Sequence, residues 1–177
     1  MIGRLGVTLA KRQRGPRMRG AITTLFAISI LSSAAYAVDL GKAQGAVVVD
    51  GARIDLNYAY AIDHQKNEVT NRRDDTRVVL TDKPLPDGTK LDDIDYSFPE
   101  GTLGMVICVS HEDKVSHVVV QHAKGMYDAG FFESEPIYSF RRVKSDRGSI
   151  AGSVSARRVK TNTMTFSCDV DFDAPIK

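Results

Sequence analysis

From Ile54 to Ile62 the large apolar side chains recur at every second position. Ile54, Leu56, Tyr58, Tyr60 and Ile62 form one row, with Asp55, Asn57, Ala59 and Ala61 between them. Successive side chains of a strand point to opposite faces, so this period of two predicts a strand with that row on the core side. Tyrosines on a sheet can stack on sugars, but in company with Ile54, Leu56 and Ile62 they read as core. Thr161–Asp173 repeats the pattern near the end of the chain. Met164, Phe166, Cys168, Val170 and Phe172 take one face, and Thr165, Ser167, Asp169, Asp171 and Asp173 the other. Both stretches describe half-buried strands, and neither describes a reaction.

The rest of the chain continues in the same manner. Gln44–Val49 predicts a strand joined to the Ile54 strand through Asp50-Gly51, a pair suited to the positive φ angles of a tight hairpin turn. His64–Asp75 is densely charged, with Val69 its one aliphatic residue, and reads as a solvated connection. Arg77–Asp82 is a third strand, stopped by Pro84 and Pro86, which cannot donate to a ladder. Thr102–Ser110 and Val115–His122 form a predicted hairpin with Glu112-Asp113 at its tip. In that register Met105, Ile107 and Val109 share a face with Val120, Val118 and Ser116, and Cys108 lies opposite His117. Gly125–Gly130 reads as a break followed by an apolar plug at Phe131-Phe132. Pro136–Lys144, Ser149–Arg157 and Thr161–Asp173 are the remaining strands.

This makes about eight strands with turn signals at sandwich-like spacing and no amphipathic helix. Alternating apolar runs indicate antiparallel sheets with one wet face. The expected class is all-β, an antiparallel β-sandwich of immunoglobulin-like type, with a small barrel as the second choice. Between the strands, Lys83–Gly101 is a long loop carrying Asp92, Asp93, Asp95 and Phe98. Loops of this length are often functional, which makes these four residues, together with the Gly125–Phe132 break, the expected contact region.

Residues 1–37 change the picture of where the chain resides. They hold six basic residues and no acid, then an apolar run from Ala21 to Leu31, then Ala35-Tyr36-Ala37. That is the layout of a cleaved secretory signal peptide. The apolar run is shorter than the roughly 20 residues that a spanning helix needs, so no membrane anchor is expected after cleavage. Met18-Arg19-Gly20 would open a compact signal, and translation is expected to start at Met18. An N-terminal peptide containing Arg4 or Lys11 in cell extracts would rule that start out. Removal of the signal leaves 140 of the 177 residues, enough for one exported domain over 38–177, periplasmic or secreted. The formal charge of +2 belongs to the signal, because the remaining 18 basic and 22 acidic residues give −4. A mildly acidic exported domain has no electrostatic reason to seek nucleic acid.

In an oxidising compartment the two cysteines, Cys108 and Cys168, read first as a disulfide, with two buried thiols as the alternative. Such a bond would be worth about 4 kcal/mol in the chain-entropy model. His111, His117 and His122 lie close to Cys108 and suggest a copper or zinc site, with His111 and His117 as its candidate ligands. The blue-copper methionine that should follow His111 is absent, and His117 and His122 face opposite sides of one strand. The aspartate rows at Asp92, Asp93 and Asp95 and at Asp169, Asp171 and Asp173 could attract calcium, but no EF-hand spacing is present. Ser110-His111 and Ser116-His117 lack any nucleophile-elbow context. The doublets Arg72-Arg73, Arg141-Arg142 and Arg157-Arg158 split across strand faces or fall in loops, and read as outward charge. No cofactor and no catalytic residue is implied.

Three fragments in order carry a resemblance. They are Leu56-Asn57-Tyr58-Ala59-Tyr60-Ala61 after Val49-Asp50-Gly51, Val79-Leu80-Thr81-Asp82-Lys83-Pro84-Leu85, and Gly152-Ser153-Val154 with Asp171-Phe172-Asp173-Ala174-Pro175-Ile176. Their order resembles small secreted bacterial β-sandwich proteins of uncharacterised function. The resemblance implies one exported β domain and no assigned catalytic residues. The expected function is a non-enzymatic binding or interaction module of the cell envelope or exterior, with a protein or small-molecule partner. The competing expectation is a periplasmic metal-binding protein or hydrolase that uses His111 and His117 or the aspartate rows.

Overall fold

A computed structural model describes residues 38–64, 75–94, 97–128, 138–146, 148–160 and 164–177. It contains nine strands: β1 (Lys42–Val49), β2 (Ala52–His64), β3 (Asp75–Thr81), β4 (Gly104–Val109), β5 (Val115–His122), β6 (Gly125–Asp128), β7 (Tyr138–Ser145), β8 (Ser149–Lys160) and β9 (Thr165–Pro175). The one described helical element is a single 3-10 turn, Leu91–Asp93. The signal region, most of the His64–Asp75 connection, Asp95 and Phe131-Phe132 lie outside the described residues.

The strands are ordered β6-β5-β4-β3-β2-β1-β9-β8-β7 and every ladder is antiparallel. Two meanders therefore meet where β1 pairs with β9. The expected all-β antiparallel class is observed. The pairing forms one continuous sheet, curled into a half-barrel, in place of the two packed sheets of an immunoglobulin-like sandwich. The curl is what lets one sheet enclose its own core. Val47, Leu56, Leu80, Met105, Ile107, Val120, Ile150, Val154, Phe166 and Phe172 gather on the concave side. Tyr138 stacks on Phe166 and Phe140 on Phe172, with ring centroids 6.1 and 6.2 Å apart. Across the open side, Arg142 of β7 donates to the Ser110 carbonyl and, at 2.6 Å, to Asp113 Oδ1 in the β4–β5 turn.

Several local expectations hold. Val49 pairs with Ala52, so Asp50-Gly51 is a two-residue turn, and its φ angles of 48° and 83° are those of the primed type. In β9, Phe166, Cys168, Val170 and Phe172 face the core as the alternation predicts. In the β4–β5 hairpin Met105 meets Val120, Ile107 meets Val118 and Cys108 meets His117. A bulge after Cys108 then pairs Val109 with Val115 rather than Ser116.

Other expectations are corrected. Gly125–Asp128, read as a break, is the edge strand β6. The β2 row does not stay on one face. Between Lys42 and Gly45 the β1–β2 ladder shifts register through a bulge, and beyond it Ala59 and Ala61 face the core opposite Leu80 and Val78. Tyr60 and Ile62 pack on the outer face instead, and Tyr58 is partly exposed beneath the Lys42 ammonium. The outer position suits Tyr60, whose hydroxyl accepts the Leu85 N–H at 3.1 Å.

The two cysteines are not joined. Ile107 and Val109 face the core, so Cys108 faces outward, whereas Cys168 faces inward. Strands β3, β2 and β1 separate them, roughly 19 Å of sheet at one strand spacing per step, and a disulfide needs Cα atoms within about 7 Å. Both thiols are buried, and burial pushes the Cys168 thiol up to about 12.

Candidate functional site

The outer face of the sheet has two halves of different chemistry. Over β2–β5 the strands carry consecutive apolar residues: Val78-Val79-Leu80, Met105-Val106-Ile107 and Val118-Val119-Val120. Such runs have no wet face and need cover on both sides. The 83–103 connection supplies it. Leu91, Ile94 and Phe98 pack on Val79, Val106 and Val119, with Tyr60, Ile62 and Leu85 at the margin. Gly104 permits the close approach, because a Cβ there would stand 2.9 Å from the Phe98 ring and closer still to the Leu80 carbonyl. Buried Arg77 ties the 3-10 turn down by donating to the Leu91 and Asp92 carbonyls at 3.5 and 2.9 Å.

The expected contact loop is thus a structural cover. Phe98 is 8% exposed within it, while Asp92 and Asp93 remain in solvent. His111 is exposed at the hairpin tip, 4.0 Å from Glu112 Oε1. His117 lies on the outer face beside Cys108, with its Nε2 3.4 Å from Asp128 Oδ1. His122 faces the other way, buried, and its Nδ1 accepts the Lys124 N–H. Among the described residues no group of three or more histidine, cysteine, aspartate or glutamate side chains is placed to hold a metal ion. The calcium reading of Asp169, Asp171 and Asp173 fails on the same ground, since side chains two apart on a strand stand about 6.6 Å from one another.

Over β8, β9, β1 and the start of β2 the outer face is built of short and polar side chains. Its rows run across the strands in register. One holds Lys144, Ala151, Asp173 and Lys42; the next Arg141, Ser153, Asp171 and Gln44; the next Ser155, Asp169, Ala46 and Asp55. Arg141 Nε reaches Ser153 Oγ at 3.4 Å. Lys144 is paired with Asp146 at 2.8 Å, which raises the ammonium's pKa; Asp173 adds to the effect. The last row is Arg157, Ser167, Val48 and Arg53, and here the face is hollowed.

Gly45, Ala46, Val48, Ser155 and Ser167 floor a groove of about 660 Å³, bordered by Arg53 on one side and Arg157 on the other, with Asp169 at one end. A second hollow continues past Val48 and Ser167 to Thr165, Arg158 and the Asp50-Gly51 turn. A β8 bulge between Ala156 and Val159 brings both arginines of the doublet to this surface. Strict alternation would have sent Arg158 into the core, where an unpaired guanidinium is costly, so one extra residue is the less costly arrangement. That is the signal in the sequence that could have found the groove: an arginine doublet inside an otherwise alternating strand. Arg157 and Arg158 make no ion pair or hydrogen bond among the described residues, whereas Arg53 Nε bonds exposed Asp55 at 2.7 Å.

Comparison with known protein families, with curated proteins and with solved structures found no match to this chain. Among the described residues no helix is long and apolar enough to cross a membrane.

Proposed function

We propose that the chain is an exported, non-catalytic binding module that presents the outer face of β8, β9, β1 and the start of β2 to a partner. The observation that carries this reading is the contrast across one face of one sheet. The chain covers the β2–β5 half with its own apolar layer, while among the described residues nothing covers the other half, which is hollowed and lined with arginine, serine and aspartate. Export rests on the basic, apolar and A-x-A order of residues 1–37. A site of this composition holds by hydrogen bonds and charge.

The test is site-specific photo-crosslinking in the producing cell, with the reactive residue at Ser153 or Ser155 and, separately, at Asp87 or Lys90 in the cover. Adducts from Ser153 or Ser155 and none from the cover are expected. Adducts from the cover alone would move the contact surface to the 83–103 loop.

A further inference from the structure

We infer that the groove is an oxyanion site, in which Arg53 and Arg157 clamp a carboxylate, phosphate or sulfate group seated over Val48 and Ser167. The inference rests on the proposed binding face and names the chemistry that face recognises.

The geometry comes from the register. Val48 pairs with Arg53 on one side and with Ser167 on the other, and Arg157 follows Ala156, the partner of Cys168. The two arginines stand at the ends of a four-residue row, three strand spacings or about 14 Å apart at the backbone. Side chains on the convex face of a curled sheet splay, so neighbours of equal length would fill such a row without making a site. Here the two central residues are short and the two outer ones long, and both arginines line the same hollow. Arg158 stands beside them on the continuing hollow, with the hydroxyls of Thr165 and Ser167.

Guanidinium groups present donors in a planar fork that matches two oxygens of one oxyanion, and they stay charged at any working pH. Arg157 spends none of its donors on the described protein, and Arg53 commits only its Nε. Arg157 without a partner among the described residues, beside Arg53 bonded through Nε alone, leaves guanidinium donors available over a floor of small residues, with Asp50, Asp55 and Asp169 as the surrounding carboxylates. Asp169 at the end of the groove sets the polarity. It repels the anionic group toward the Arg53–Arg157 row and accepts from hydroxyl or amino donors elsewhere on the ligand.

The probe is sodium sulfate, titrated into the 15N-labelled exported protein at fixed ionic strength and followed by NMR. Saturable shifts confined to Val48, Arg53, Arg157, Arg158 and Ser167 are expected. Arg53→Gln and Arg157→Gln should each weaken sulfate by about tenfold, the loss of one charge-assisted contact. Asp169→Asn should tighten it, because it removes a repelling charge without touching a donor. Shifts that scatter over the surface, or that Arg157→Gln leaves unchanged, would overturn the clamp. Crosslinks from Ser155 that persist in the Arg53→Gln and Arg157→Gln variants would also overturn it as the means of partner recognition, while leaving the binding face intact. Sulfate binding without any crosslink from Ser153 or Ser155 would support the oxyanion site and sink the partner-binding reading instead.

Discussion

One sheet, one outer face and two halves built on different rules: over β2–β5 the face is apolar and covered, over β8–β9–β1 it is polar and open. In the covered half a side chain is worth what its burial is worth. Phe98, Leu91 and Ile94 remove themselves and Val79, Val106 and Val119 from water together. In the open half many side chains are polar and exposed, and what counts is the pattern of charge they present. The difference teaches that a long loop can be a structural element: the 83–103 connection lays an apolar layer over four strands, β2–β5.

Breaking the cover should give the largest effect. Phe98→Ala is expected to cost about 3–5 kcal/mol by chemical denaturation, while Asp171→Ala on the open half should stay within about 0.5 kcal/mol. Thiol reagents report on Cys108 and Cys168. In the native protein neither should react, since Cys108 is 1% exposed and the Cys168 thiol is held at about 12 by burial. Two thiols titrated after unfolding without reductant, and none before, would confirm that no disulfide forms; none after unfolding would restore the bond.

Arg77→Ala comes next. It removes the Arg77 donor from the Asp92 carbonyl and leaves the Leu91 carbonyl only the Ile94 N–H, and a loss of about 2 kcal/mol is expected, together with faster hydrogen exchange at Asp93 and Ile94. Unchanged exchange in the 3-10 turn would mean that apolar packing alone holds the cover. The Arg142–Asp113 pair across the open side of the half-barrel is partly exposed, so its coupling in a double-mutant cycle should be about 0.5–1 kcal/mol. A coupling near zero would leave the curl to the core alone.

The smallest effect belongs to the β7–β8 turn at the rim of the open half. The Lys144 ion pair and the N–H groups of Gly148 and Ser149 lower the Asp146 carboxyl from 3.8 to about 2. A depressed folded-state pKa stabilises above the unfolded value, so the contribution is fully present above about pH 4 and is lost as pH falls toward 2. NMR titration of the Asp146 carboxyl should show a midpoint near 2, and Asp146→Asn should flatten the acid limb of the stability curve slightly. A midpoint near 3.8 would dissolve the pair.

Much of the fold was legible because alternation is a local property. The β9 row, the Asp50-Gly51 turn and most of the β4–β5 register follow from side chains that point up and down in turn. The contrast between halves was missed: one wet face was expected throughout, although β3, β4 and β5 carry unbroken apolar runs where β9 alternates strictly. Of the bulges only the one at the Arg157-Arg158 doublet left a signal in the sequence; elsewhere one inserted residue costs little locally and yet reverses every face beyond it. The bulge beside Gly45 moved Tyr60 and Ile62 outward, and the bulge after Ala156 carried Arg157 and Arg158 to one surface. The disulfide failed for the same class of reason: whether two cysteines meet is decided by strand order and facing, which no local pattern contains. The sequence by itself determined the strands, the turn and the need for a second apolar layer, all properties of neighbours along the chain. Only the tertiary structure decided the order of strands, the curl and the arginine-bordered groove, because each depends on residues brought together from distant parts of the chain.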